Sequence, residues 1–154
     1  MKLISGGQTG ADSSIIAVGE RLGIPIGGNV PRGWRTERGP NPRLKALGFT
    51  ESDNQDYASR TRKNIEHSDA TLIFATDPGS DGTQLTIDHA EEINKPSLVL
   101  NPFDPAAVDT TARWLQATRP TVLNVAGNRE SNSPGIARQA EQVLHAALRA
   151  YLAS

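Results

Sequence analysis

Three times along this chain a short apolar run breaks into a glycine-bearing polar loop and then into a segment of helical periodicity. Leu3-Ile4 leads into Ser5-Gly6-Gly7-Gln8-Thr9-Gly10. Ala70-Thr71-Leu72-Ile73-Phe74-Ala75 leads into Asp77-Pro78-Gly79-Ser80-Asp81-Gly82-Thr83. Thr121-Val122-Leu123-Asn124-Val125 leads into Ala126-Gly127-Asn128-Arg129-Glu130-Ser131. Strands that alternate with helices imply a parallel α/β sheet with helices on both faces, and in such sheets ligands sit at the carboxyl ends of the strands. All three glycine loops fall at those ends.

The rest of the pattern agrees. Ile15, Ile16, Val18 and Leu22 follow helical spacing and Gly23 stops the helix. Ile24-Pro25-Ile26 is a second short apolar piece, whereas residues 27–56 are rich in Pro, Gly and Arg and read as largely irregular, with a short strand near Phe49. Helices are expected over Tyr57–His67, Gln84–Ile93, Pro105–Thr118 and Pro134–Leu152, with a strand over Pro96–Leu100. Trp114 and Leu115 read as core. The length of 154 residues suits one domain spanning residues 1–154.

Charge and composition narrow the function. With 16 Lys+Arg against 17 Asp+Glu the net charge is −1, which argues against a dedicated nucleic-acid binder. No apolar run is long enough to span a membrane, and Met1-Lys2-Leu3-Ile4 is no signal peptide, so a cytoplasmic protein is expected. The chain has no cysteine, which excludes thiol nucleophiles, iron–sulfur clusters and Cys-zinc sites. His67, His89 and His145 stand apart at no metal spacing, and no nucleophile–base constellation is evident, so neither catalytic nor metal residues are assigned.

The loops carry the candidate site. Gly6, Gly7, Gln8, Thr9 and Gly10 precede a helix whose first turn holds Asp12; such a loop invites a phosphate, although neither common nucleotide motif is present. A plain strand-to-helix turn is the simpler reading. Gly79, Ser80, Gly82 and Thr83 form a second loop of the same kind, and Gly127 with Arg129 a third that adds a cation. Residues 32–45 hold Arg32, Arg35, Arg38, Arg43 and Lys45 against the single acid Glu37, with Trp34 as a flat face for stacking. A solvated loop or an oligomer contact would have the same composition. Arg60 and Asn64 share one helix face.

These residues, taken in order, resemble the molybdenum carrier family, which includes the molybdenum cofactor carrier proteins and is also described as the circularly permuted YpsA-like branch of the SLOG superfamily. The resemblance rests on Ser5-Gly6-Gly7-Gln8-Thr9-Gly10-Ala11-Asp12, Pro31-Arg32-Gly33, Tyr57-x-x-Arg60-Thr61-x-x-Asn64, Ser68-Asp69-Ala70-Thr71, Gly82-Thr83 and Asn124-Val125-Ala126-Gly127-x-Arg129-Glu130-Ser131. One departure is visible: Asn128 stands where the pattern has proline, a change expected to loosen that turn.

The resemblance implies a Rossmann-like fold, homo-oligomers (a dimer or tetramer) and a small anionic ligand. For the carriers that ligand is molybdenum cofactor (molybdopterin), with molybdenum enzymes or cofactor-synthesis proteins as partners. Glycine loops would take the phosphate, Arg32 or Arg60 the anionic groups, and Trp34 the ring. The alternatives are a nucleotide-binding sensor and a phosphoribohydrolase-like N-glycosidase. The latter relatives carry P-G-G-x-G-T-x-x-E, in which the final Glu is catalytic; here Pro78 to Thr86 puts Thr86 at that position. A threonine hydroxyl is no acid or base near neutral pH, so binding without hydrolysis is expected.

Overall fold

The computed structural model describes residues 1–154. Six strands form one sheet: β1 (Lys2–Ile4), β2 (Ile26–Val30), β5 (Phe49–Glu51), β6 (Ala70–Phe74), β7 (Ser97–Leu100) and β8 (Val122–Gly127). Their spatial order is β5-β2-β1-β8-β6-β7, and every neighbouring pair is parallel. Two short strands, β3 (Arg35–Thr36) and β4 (Gly39–Pro40), form a separate antiparallel hairpin.

The crossovers explain where the helices lie. Helix α1 (Ser14–Leu22) takes the chain from β1 to β2 in one direction along the sheet, and α5 (Ala107–Thr118) moves the same way from β7 to β8. Helices α3 (Tyr57–Glu66) and α4 (Asp81–Glu92) carry it in the opposite direction. Right-handed crossovers running in opposite directions must lie on opposite faces. Accordingly α3 packs on α4 over one face. On the other, the last helix, α6 (Ile136–Ala153), packs between α1 and α5. This is a doubly wound, Rossmann-like α/β fold. The crossover direction switches between the central strands β8 and β6, which opens a crevice at their carboxyl ends.

Central strands are buried on both sides, so they read as unbroken apolar runs. All five residues of β6 are buried, and Leu3 of β1 pairs in register with Leu123 of β8. Leu3, Leu72, Phe74, Leu115, Leu123, Leu144 and Leu148 belong to one continuous core, each stabilising it by about 1.5–3 kcal/mol through burial. Trp114 packs partly buried against it. Local signals bound the helices, Gly23 as the sequence predicts and Asp56 as the structure adds. Gly23 caps α1 with φ 67°, and Asp56 accepts the Ser59 amide at 2.6 Å to start α3.

Residues 27–56 are more ordered than their composition suggests. Strand β2 runs through Gly27-Gly28 to Val30, beyond the Ile24-Pro25-Ile26 piece. Gly28 has φ 129°, and a side chain there would collide with the backbone of Ser5 on β1's loop. Two glycines hide a strand from any reading of apolar periodicity, because the strand's fit comes from missing side chains. The hairpin follows, and then the one-turn helix α2 (Arg43–Ala46), which buries Leu44.

Candidate functional site

The loops after β1, β6 and β8 and the first turn of α3 enclose a crevice of about 280 Å³. Gln8, Asp12, Arg60, Ser80, Gly82, Thr83, Gly127 and Arg129 all border it, so members of all three glycine loops meet there. At its floor Arg60 reaches from α3 across the sheet edge to Asp12, with Nη1 3.6 Å from Oδ2. Both side chains are largely buried, at 11% and 5% exposure. Gly6 permits this crossing, since a Cβ at that position would overlap the Arg60 guanidinium.

The pair is stabilised from the first loop. Asp12 Oδ2 accepts the Gln8 amide at 3.2 Å, while the Ser5 hydroxyl donates to the Asp12 carbonyl at 2.8 Å. Burial still dominates the titration. It raises the Asp12 carboxyl above its ordinary range against the opposing pull of Arg60, and it lowers the Arg60 guanidinium against the support of Asp12. Arg60 Nη1 donates to the Thr61 hydroxyl at 3.0 Å, but the buried Nε has no hydrogen-bond partner. A buried charged donor left unpaired is costly, and the guanidinium that carries it borders the crevice, where an anion would meet its charge.

Two further features favour an anion. The first helical amide of α4 with a partner is that of Gln84, which donates to Ser80 O at 2.9 Å; the amides of Asp81, Gly82 and Thr83 before it have none within the helix. This turn borders the crevice and presents the positive end of the helix dipole. At the mouth the Tyr57 ring is ringed by guanidiniums: Arg35 at 4.7 Å, Arg129 at 5.3 Å and Arg60 at 5.4 Å from its centroid. Of the three, Arg60 alone is paired with a carboxylate.

Asn128 corrects the expectation drawn from the missing proline. Its buried carboxamide stitches the second and third loops together instead of loosening the turn. Oδ1 accepts the amides of Thr76 (2.9 Å) and Asp77 (3.0 Å), and Nδ2 donates to Asp77 O and to the hydroxyls of Ser80 and Thr83. A proline could make none of these bonds.

The first loop has a second side. Gly7, Gln8, Thr9 and Gly10 border a larger cavity of about 450 Å³, between the hairpin and the start of α6. Glu37 closes the wall beside it. Its carboxylate accepts from the hydroxyls of Thr9 and Ser131 and from the Ser131 amide, and its own amide donates to Gln8 Oε1 at 2.9 Å. Burial pushes its carboxyl up, but these hydrogen bonds outweigh that and hold it below the usual range. Glu37 is the lone acid of a basic stretch, a signal that could have marked it in advance.

Other expected site residues lie elsewhere. Arg32 is exposed and borders neither cavity, its amide bonded to Asn54 O at 2.7 Å. Asn64 is buried and braces β2, its carboxamide exchanging bonds with the Asn29 amide (2.7 Å) and carbonyl (3.0 Å). Gly79 is exposed, with its amide on Asp77 Oδ1. Trp34 packs against the core rather than over the crevice. Tyr57 and Asn128 both border the crevice, and neither carries a signal in the sequence that marks it as a ligand contact.

A doubly wound sheet with three polar loops, two cations and a free helix start at its switch point defines a Rossmann-like α/β domain with a polar crevice at the carboxyl ends of its central strands. The chain belongs to the circularly permutated YpsA SLOG family, whose profile matches residues 3–148. It is also similar to the crystal structure of the "Putative molybdenum carrier protein" of Syntrophus aciditrophicus SB, with 35% identity and a TM-score of 0.87 over 96% of this chain and 94% of that one. No curated protein matches the chain. No helix is long and apolar enough to cross a membrane.

Proposed function

We propose that the protein binds and carries molybdenum cofactor or a related phosphorylated pterin in the crevice. The observation that carries this reading is the largely buried Arg60 guanidinium, which borders the same crevice as the partnerless Asp81–Thr83 amides of α4. The Asp81–Thr83 amides would take the phosphate, and Arg60 with Arg129 its charge. The family and the name of the similar crystal structure support a molybdenum-related cargo.

Hydrolysis is not part of the proposal. The Thr86 hydroxyl donates to Gly82 O at 3.0 Å, so it serves its own helix. Asp88 accepts Gln84 Nε2 at 2.8 Å on an exposed surface, outside the crevice. Asp12 is engaged by Arg60 and the Gln8 amide.

The test is titration of the protein with purified molybdopterin cofactor, molybdate, tungstate and nucleoside monophosphates. Cofactor should bind most tightly. Gly82→Val is the informative variant, because a Cβ at Gly82 meets no atom within 4 Å and the added bulk enters open space. It should weaken binding by about tenfold or more while leaving cooperative unfolding intact, and Arg129→Ala should cost about 1–3 kcal/mol of affinity. Tighter binding of a nucleotide than of the cofactor, or release of free base from one, would overturn the proposal.

A further inference from the structure

We infer that the larger cavity beside the first loop is a second small-molecule site, separate from the crevice, for a flat aromatic anion. Its volume of about 450 Å³ falls in the range of small-ligand sites. Its lining combines an aliphatic part, Ile16, Leu44 and Pro40, with two arginines, Arg38 and Arg138. Both arginines are exposed, and neither is in an ion pair.

The nearby carboxylate is not paired with them. Glu130 also borders the cavity, but its Oε1 accepts the Ala137 amide and its Oε2 the Gly135 amide, so its charge is spent on the start of α6. Glu37 is likewise occupied by Thr9 and Ser131. The cavity therefore keeps an apolar surface next to two guanidiniums that no carboxylate holds in an ion pair.

A further donor lies on the wall shared with the crevice. Gln8 is 5% exposed, and its Oε1 accepts the amides of Thr9 (3.0 Å) and Glu37 (2.9 Å). Those two bonds fix which end of the carboxamide is which, since a flip would set the NH2 against two N–H donors. Nε2 is thereby left buried without a partner. Gln8 borders both cavities, so its carboxamide belongs to the wall between them. The aliphatic residues would cover the flat body, and the arginines would take the acid group.

The probes are 8-anilinonaphthalene-1-sulfonate and its uncharged analogue N-phenyl-1-naphthylamine, titrated into the folded protein by calorimetry and fluorescence. The sulfonate should bind with one-to-one stoichiometry and at least tenfold more tightly than the neutral analogue. Arg38→Glu combined with Arg138→Glu should weaken the sulfonate by more than tenfold. Ala137→Trp, which fills the cavity from a half-exposed helical position, should abolish its binding, and Gly82→Val should leave it unchanged. Loss of binding in Gly82→Val with none in Ala137→Trp would place the probe in the crevice and overturn the inference. Equal affinity for the charged and neutral probes, or no binding by the wild type, would overturn it too.

Discussion

The two sides of the Gly7–Gly10 loop make opposite use of charge. On the crevice side Asp12 and Arg60 are buried together, and burial pushes both toward their neutral forms. On the hairpin side Glu37 is held ionised by three hydrogen bonds, while Arg38 and Arg138 stay in solvent. The difference shows what a glycine loop contributes. It carries little chemistry itself, but it lets a helix from one face deliver a guanidinium past Gly6 while a hairpin from elsewhere locks onto Thr9 and Gln8. Charge in the crevice is buried and costly; charge around the other cavity is solvated and cheap.

The largest effect should come from breaking the crevice pair. Arg60→Met leaves Asp12 buried with no counter-charge, and urea unfolding should show a loss of about 3 kcal/mol. Adding Asp12→Asn should recover part of that. If the double variant is as unstable as the single, the two residues are not coupled. Next comes the brace between loops: Asn128→Ala strands the buried end of a five-bond network and should cost about 2 kcal/mol, whereas Asn128→Pro should do no better. A proline variant more stable than the wild type would mean the brace contributes nothing.

The pH profile sharpens the comparison because the two carboxyls have opposite signs. Asp12 binds its proton more tightly when folded, so its contribution to stability is present below the ordinary value of 3.8 and lost as pH rises through the folded one. Glu37 binds its proton less tightly when folded. Its contribution is present above the ordinary value of 4.5 and lost as pH falls through the folded one. Measured from acid to neutral pH, Glu37→Gln should remove part of the rise in stability, and Asp12→Asn should make that rise steeper. Matching profiles for the two variants would contradict the assignment. The smallest effect belongs to the free arginines: Arg38→Ala and Arg138→Ala should each shift stability by less than about 0.5 kcal/mol.

How much of this was legible beforehand follows from how far apart the partners stand. Strands β1, β6 and β8, the helices between them and the glycine loops at one edge were readable, because apolar runs, helical spacing and a stop such as Gly23 are properties of neighbouring residues. The ordered motifs from Ser5 to Ser131 were also enough to point to the family to which the chain belongs. Strand β2 is not legible beyond Ile26, since Gly27 and Gly28 carry no apolar side chain to betray it.

Which way each residue faces was decided only by the tertiary structure. Gly7 and Gly82 look alike in the sequence. Yet a Cβ at Gly7 would press on Val30 and Leu44, whereas one at Gly82 enters open space. Arg32 and Arg60 were equal candidates, and only the packing of α3 over β2, braced by Asn64, brings Arg60 to Asp12. Asn128 reads as a departure from a pattern until its partners some 50 residues away come into contact. Local sequence sets the elements because their energies are local. Partners at such separations depend on the direction of each crossover and on side-chain shape, and neither is written in the spacing of residues along the chain.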